Sequence, residues 1–436
     1  MLPEGKPSET EDRLYYVFRP DQKTSNDVHV LIVAPASSGQ LYPRAAHQLQ
    51  MRTTVLTTGR DFYALPENVR EFIDDIRMVD TLSFHELREA ARRVHREHPI
   101  QAVVAGVEFV VPAVAAIATD LGVEGIDPAD ADAVRDKSAM RARMHAAGVR
   151  APAFVIASSL EEAADAGETV GYPCVIKPSG MVGTIGVRRA DSRRDLIDGY
   201  QRIAAETLPI AEQLPGSTVV VEEYLRGQEF SAEGYVRQGQ ATILAITEKW
   251  LGPEPYFQQE GHIVRPAAEV PGHEVVADYL DHVTKGLGLT TGAFHAEYRV
   301  TDEGPTLIEV GARMAGDHIA EMVETVTGLS LAQASLAALA GVPCPASVTP
   351  SAAVAGIHFV TEPSLVGRGY TELRGWEEAL RLPGVHDAQI SISAGQPIPD
   401  RQDLRSRIGH LMFTADTYGD AVRLRQTLAD RISVVA

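Results

Sequence analysis

The stretch Ala293-Phe294-His295-Ala296-Glu297-Tyr298-Arg299-Val300, continued by Thr301-Asp302-Glu303-Gly304 and by Thr306-Leu307-Ile308-Glu309-Val310-Gly311-Ala312-Arg313, decides the fold. The first segment alternates as a half-buried strand, the second is a turn, and Thr306 to Val310 returns antiparallel. Such a hairpin sets Glu297 and Glu309 side by side. Taken singly, each reads as a solvated glutamate at a strand edge. Two carboxylates on one sheet face repel, however, unless a cation lies between them. Oxygen ligands with room for phosphate oxygens suit Mg²⁺. Arg313 then stands beside that metal.

The chain of 436 residues has length for roughly two to four domains, each with ample core. Forty Lys plus Arg against 59 Asp plus Glu give a formal charge of −19, which disfavours a nucleic-acid partner or an anionic membrane surface. An anionic ligand therefore needs a locally basic pocket. Cys174 and Cys344 are the only cysteines, so there is neither a disulfide framework nor a zinc spacing, and a reducing cytoplasm fits. Met1 to Arg13 is polar and lacks the apolar core of a signal peptide. The longest apolar tract, Ala102 to Ala118, is broken by Glu108 and Pro112 and falls short of the ~20 residues that span a bilayer. The expectation is a soluble protein.

Val28 to Ala34 reads as a buried parallel strand that feeds the small-residue loop Pro35-Ala36-Ser37-Ser38-Gly39. That loop suits a carboxylate or phosphate on its N–H groups and equally suits a plain tight turn. Thr53 to Thr57 and Ala102 to Ala105 are further strands, with a helix opened by the capping box Ser83 and Glu86 between them. This alternation makes the first part an α/β unit. Asp127 to Gly148 reads as one helix carrying Lys137, a solvated surface lysine when taken alone. A strand Phe154 to Ala157 and a helix capped by Ser158 or Ser159 follow. The strand Tyr172 to Pro178 delivers Lys177 beside Ser179-Gly180-Met181-Val182-Gly183-Thr184-Ile185-Gly186, a flexible backbone that can lie against phosphates or simply form a hairpin tip. Val219 to Phe230 runs a buried strand into a short connection and a second strand that opens with Glu229, which suits a nucleotide held between two lobes or an ordinary charged hairpin. Pro343, Pro345 and Pro350 mark a linker.

Lys137, Lys177 with its glycine-rich loop, the segment Glu222 to Glu229, Glu297 and Glu309 occur in this order in ATP-grasp enzymes, and the chain resembles that superfamily from about Val28 onward. Within it the chain is similar to the ATP-dependent carboxylate–amine ligases typified by bacterial L-amino acid ligases, which make dipeptides. Ile246 to Lys249 with Pro255-Tyr256-Phe257 and Gly261-His262 resembles the strand and loop that those ligases place over the acyl-phosphate site. Arg407 to Thr414 resembles the closing strand of their C-terminal lobe. The resemblance implies an α/β and α+β multidomain chain of ATP-grasp fold. Its parts are a Rossmann-like N-terminal α/β domain over 1–125, an ATP-grasp domain over 126–345, and a small C-terminal α+β lobe over 350–436. The lid is expected at about 150–222 and the central lobe at about 226–345.

The same resemblance assigns roles. Lys137 and Lys177 reach the α- and β-phosphates of ATP, and the loop bearing Gly180 and Gly183 covers the γ-phosphate. Glu222 accepts from the adenine amino group, Glu223 and Leu225 offer backbone groups, and Glu229 holds the ribose. Glu297 and Glu309 bind Mg²⁺, with Mn²⁺ as the alternative. Arg313 and His262 stabilise the oxyanion formed when an amine attacks the acyl-phosphate, and Glu248, Gln259, Glu260 and Asp317 are substrate candidates. For Asp317, capping of the next helix is the favoured reading. Two positions depart from the pattern: Gly311 stands where these enzymes often carry Asn, and Gln259 where the dipeptide ligases carry Glu, with Glu260 adjoining as a substitute. The implied partners are a small-molecule carboxylate and an amine, and enzymes of this superfamily are often homodimers. The alternatives are an ATP-grasp phosphotransferase, which keeps the phosphoryl group on its product, and an ATP-binding module without turnover.

Overall fold

The computed structural model describes residues 16–18, 28–206 and 216–436; the polar start Met1 to Arg13 lies outside them. The apolar, β-branched runs of the first part form a sheet buried on both faces. Its strands are β1 (Tyr16–Phe18), β2 (His29–Val33), β3 (Arg52–Thr57), β4 (Asp75–Met78) and β5 (Ala102–Ala105), in the order β1-β4-β3-β2-β5. β2 to β5 are parallel and β1 closes the edge antiparallel. Segments that follow β2, β3 and β5 supply Ala36 to Ser38, Phe62 and Gly106 to Phe109 to one cavity, as crevices at the carboxyl ends of parallel strands do. Half of the capping box forms: the Ser83 hydroxyl accepts from the Glu86 N–H at 3.3 Å at the start of helix Phe84–Glu97, while the Glu86 carboxylate accepts from the N–H groups of Asp80 and Thr81 instead of from Ser83.

The single helix expected from Asp127 to Gly148 is broken. A turn of helix at Pro128–Ala131 and a 3₁₀ turn at Asp132–Val134 precede a separate helix Lys137–Ala146. The reason is Asp136, whose carboxylate accepts from the N–H groups of Ser138 (2.9 Å) and Ala139 (3.1 Å) and so starts a new helix. Lys137 becomes its first residue and is buried.

A four-stranded antiparallel lid sheet follows, formed by β6 (Phe154–Ala157), β7 (Cys174–Pro178), β8 (Arg188–Ala190) and β9 (Val219–Glu223) in the order β6-β9-β7-β8. The largest sheet has eight strands. β10 (Gln228–Arg237), β11 (Gln240–Leu251), β12 (Gln259–Pro266), β13 (Gly292–Thr301) and β14 (Gly304–Gly311) continue without a break into β15 (Val354–Val360), β17 (Val385–Ile390) and β18 (Gly409–Ala415). Their order is β14-β13-β10-β11-β12-β15-β18-β17, so strands of the C-terminal lobe extend the central sheet. β16 (Glu372–Arg374) and β19 (Ser433–Val435) form a small ribbon beside it.

Strand alternation divides the central sheet into two chemistries. Ala232, Phe294, Ala296 and Tyr298 face the core with Val276, Leu280 and Val283 of helix His273–Gly286. Glu229, Ser231, Glu233, Thr247, Lys249, His295, Glu297, Arg299 and Glu309 lie on the opposite face, as the pairings Glu229 with Arg299, Ser231 with Glu297 and with Thr247, Glu233 with His295, and Glu297 with Glu309 require. Among the described residues no single helix is long and apolar enough to cross a membrane.

Candidate functional site

A cavity of about 280 Å³ lies over the polar face of the central sheet, roofed by the lid and walled by loops of the N-terminal sheet and by the C-terminal lobe. Glu297 and Glu309 are direct register partners, as the hairpin predicts, and both line it. Their charges are compensated from opposite sides. Lys249 Nζ stands 3.0 Å from Glu297 Oε1, and Lys137 Nζ stands 2.9 Å from Glu309 Oε2 while also donating to the Met181 carbonyl of the glycine-rich loop. His295 Nε2 lies 3.3 Å from the same Glu297 oxygen, and its Nδ1 lies 2.9 Å from Glu233. Burial disfavours the Glu297 charge, but Lys249 and His295 hold that carboxyl well below its usual range. Burial pulls the His295 imidazolium down, and the Glu233 carboxylate reverses this, leaving it at about 9.

Among the described residues no three His, Cys, Asp or Glu side chains converge as a metal cage. Glu297 and Glu309 are therefore a two-carboxylate, oxygen-only donor set. Such a set fits a hard cation that takes its remaining oxygens from water and a ligand's phosphates, the habit of Mg²⁺.

Lys177, Glu222 and Arg141 form a buried triad where lid and helix Lys137–Ala146 meet, with Lys177 Nζ 2.7 Å and Arg141 Nε 2.9 Å from the Glu222 carboxylate. Burial lowers Lys177 from 10.5 to about 8 against the pull of Glu222. Burial also works against the Glu222 charge, but Arg141 and Lys177 keep that carboxyl below its ordinary value. Glu222 lines the cavity with each carboxylate oxygen paired to a cation, Oε1 to Arg141 and Oε2 to Lys177, so an adenine amino group would share an oxygen with one of them. Glu223 and Leu225 both line the cavity; the Glu223 N–H donates to the Ala153 carbonyl, and the Leu225 carbonyl accepts from Arg299 Nη1 at 2.7 Å. Glu229 is buried, is raised by that burial, and is held by Arg299 at 3.2 Å. Gly183 lines the cavity, whereas Gly180 stands outside it, its carbonyl accepting from Arg135.

Arg313 lines the cavity with its Nε 2.6 Å from Glu108 Oε2. His262 does not reach the cavity. It is completely buried, its Nε2 lies 3.2 Å from Asp317 Oδ2, and burial followed by Lys249 lowers it to about 4. It supports Asp317 instead of meeting an oxyanion. Asp317 does not cap the following helix either. It has a φ of 55° and lines the cavity, gripped by His262 and by Arg407 Nη1 at 2.8 Å from the C-terminal lobe. Burial opposes its charge, and Arg407 and His262 hold it well below the usual carboxylate range.

Gln259 lines the cavity, but Glu248 and Glu260 do not. Glu248 is on the other face of β11, where Tyr418 donates to it at 2.7 Å. Glu260, the extra residue at a register shift between the pairs Trp250–Gly261 and Leu251–Gln259, stands 3.6 Å from Arg425 Nη2. Sequence reasoning missed Lys249, His295, Arg299, Arg407 and Glu108, all of which line the cavity. His295 and Arg299 share the alternation that marked Glu297, so that signal was present.

Residues 170–321 match the ATP-grasp domain family, and residues 370–436 match L-amino acid ligase C-terminal domain 2. The uncharacterized protein y4rH of Sinorhizobium fredii is 24% identical over 406 residues, covering 92% of this chain and 82% of that protein. Dapdiamide A synthase of Enterobacter agglomerans is 33% identical over 176 residues, which span 38% of this chain and 39% of the synthase. The crystal structure of L-amino acid ligase from Bacillus licheniformis superposes with a TM-score of 0.74 at 21% identity, covering 94% of this chain and 98% of that one. The fold is ATP-grasp.

Proposed function

From a chain that contains an ATP-grasp domain and an L-amino acid ligase C-terminal domain, we propose an ATP-dependent, ADP-forming ligase that joins a carboxylate, an amino acid, to an amine. One observation carries the reading. The register-paired carboxylates Glu297 and Glu309 share a cavity with Lys137, Lys177, Lys249 and Arg313, and that cavity also receives Asp317 and Gln259. A site that only stored nucleotide has no need of the last three.

Lys177 and Lys137 meet the nucleotide phosphates from the lid and from the helix below. Glu297 and Glu309 would hold a Mg²⁺ ion, whose charge would offset that of the phosphates so that an anionic carboxylate could approach. Attack of that carboxylate on the γ-phosphorus releases ADP and forms an acyl-phosphate. A neutral amine then adds to the acyl carbon, Arg313 meets the charge on the tetrahedral oxygen, and the C–O bond to phosphate breaks as the amide forms, the amine's proton leaving with the phosphate. The dapdiamide synthase relative supports amide formation.

Incubation with MgATP and pooled amino acids tests the proposal. ADP, phosphate and an amide are expected, and hydroxylamine should trap a hydroxamate of the carboxylate substrate. Arg313→Ala should trap far less, since loss of an oxyanion donor typically costs ~2.7 to 4 kcal/mol of barrier. Glu309→Ala should abolish the response to divalent cation. Release of AMP and pyrophosphate would overturn the mechanism.

A further inference from the structure

Glu233 is the most deeply buried charge on the polar face of the sheet, at 0% exposure, and it does not line the cavity. It accepts from Ser231 Oγ at 2.7 Å, from His295 Nδ1 at 2.9 Å and from Thr247 Oγ1 at 3.4 Å. A carboxylate sealed under a sheet and given three donors carries a large desolvation cost, and a hydrophobic residue there would avoid it. The pair it forms has a direction. His295 passes it on, because its other nitrogen reaches Glu297 Oε1 at 3.3 Å. Lys249 meets that same oxygen at 3.0 Å. Both cations therefore act on Oε1, and neither is on Oε2.

We propose that Glu233 and His295 are positioning residues that pin Glu297 by its Oε1 and so present its second oxygen to a divalent cation arriving with the nucleotide. The inference rests on the reading of Glu297 as a metal ligand. Ring orientation is fixed at the far nitrogen by a carboxylate, the arrangement by which outer groups commonly orient a ligand. Here the histidine orients a carboxylate in place of the metal itself. Ser231 and Thr247 fix the far end, so the pin runs across three strands, from β11 through β10 to β13.

The test is Mn²⁺ binding, followed by electron paramagnetic resonance in the presence of a non-hydrolysable ATP analogue, in the parent and in Glu233→Gln, His295→Gln and Ser231→Ala. The parent should bind Mn²⁺. The first two variants should bind it about tenfold or more weakly, as is typical when such supporting partners are lost. Ser231→Ala removes one hydrogen bond to Glu233 without touching Glu297, and it should shift affinity the same way by less. Analogue binding without metal should change by no more than about twofold in Glu233→Gln and Ser231→Ala, neither of which lines the cavity, and melting curves should show folded protein. Should Glu233→Gln fail to fold, His295→Gln and Ser231→Ala decide. Parent-like Mn²⁺ affinity in the folded variants would overturn the inference while leaving the metal reading intact. A parent that binds no Mn²⁺ with the analogue would overturn both.

Discussion

Nucleotide affinity should fall with rising pH above neutrality, and Lys177 should be the cause. Its ammonium is buried beside Arg141 and Lys137 with Glu222 as counter-charge, and burial brings it from 10.5 to about 8. With that value the side chain is about nine-tenths protonated at pH 7 and about one-tenth at pH 9, while phosphate groups have already lost their last proton near pH 6. If the charged form is needed to meet a phosphate, apparent affinity should drop about fourfold by pH 8.5 and about tenfold by pH 9. The floor is the value of a charge-assisted contact, roughly 1.5 to 3 kcal/mol. Stability should respond in the other direction. Between pH 8 and 10.5 the unfolded chain binds more protons at this lysine than the folded one, so its contribution to unfolding free energy rises with pH. The burial penalty, roughly 3 kcal/mol, is complete below pH 8 and disappears as pH climbs to 10.5. Calorimetric titration of ADP from pH 6.5 upward, run beside Lys177→Arg, provides the assay. An arginine keeps its charge and should flatten the profile. A parent profile that is flat to pH 9, or an identical decline in Lys177→Arg, would refute the assignment.

Gly183 has a φ of +64°, and a Cβ there would fall 1.9 Å from Leu404 Cδ2 of the C-terminal lobe. Gly183→Ala should therefore raise the KM for ATP several-fold with a folding cost of roughly 1 to 2 kcal/mol, and Leu404→Ala should restore part of the loss; a cycle of rates without coupling would disprove lid contact with that lobe. Glu206 meets Arg401 at 2.7 Å and Arg405 at 2.8 Å, so Glu206→Gln should lower stability in chemical denaturation by roughly 1.5 to 3 kcal/mol, and an unchanged midpoint would refute a stabilising role for these ion pairs. Glu248→Ala should leave amine preference as in the parent, because Tyr418 holds that carboxylate on the far face of β11; a changed product spectrum would count against the assignment of faces.

Strands were legible wherever residue type and alternation agreed. Ala102–Ala105 and Phe154–Ala157 end at the residues their patterns mark. The helix from Asp127 was misjudged because a carboxylate that captures two N–H groups starts a helix without altering the apolar period around it. Glu297 and Glu309 were legible because turn and register act over a dozen residues. Lys249 was not, since the sequence offers its neighbour Glu248 equally. Which face of β11 looks into the cavity depends on how that strand registers on β10, and a one-residue error exchanges the two faces. Asp317 illustrates the same limit. Its neighbours in the chain suggest a helix cap, while its partners, His262 and Arg407, arrive from β12 and from the C-terminal lobe.

Gly311 shows how a local departure can have a distant answer. Read along the chain, it is a missing side chain beside a metal-binding glutamate. In the fold, a Cβ at Gly311 would lie 2.6 Å from Glu108 Oε2, so the volume that a larger residue needs is already held by a carboxylate from the segment after β5. That carboxylate is buried, and its partner is the Arg313 guanidinium at Nε. Arg313 Nη1 donates to the Met314 carbonyl at 2.8 Å. With two of its edges fixed in this way, the guanidinium is oriented before substrate arrives, which is what electrostatic stabilisation of a developing oxyanion requires. The glycine is then a condition for orienting Arg313. A bulkier residue at 311 would displace Glu108 first, and the effect would reach chemistry through the arginine, with Glu297 and Glu309 still paired across the hairpin.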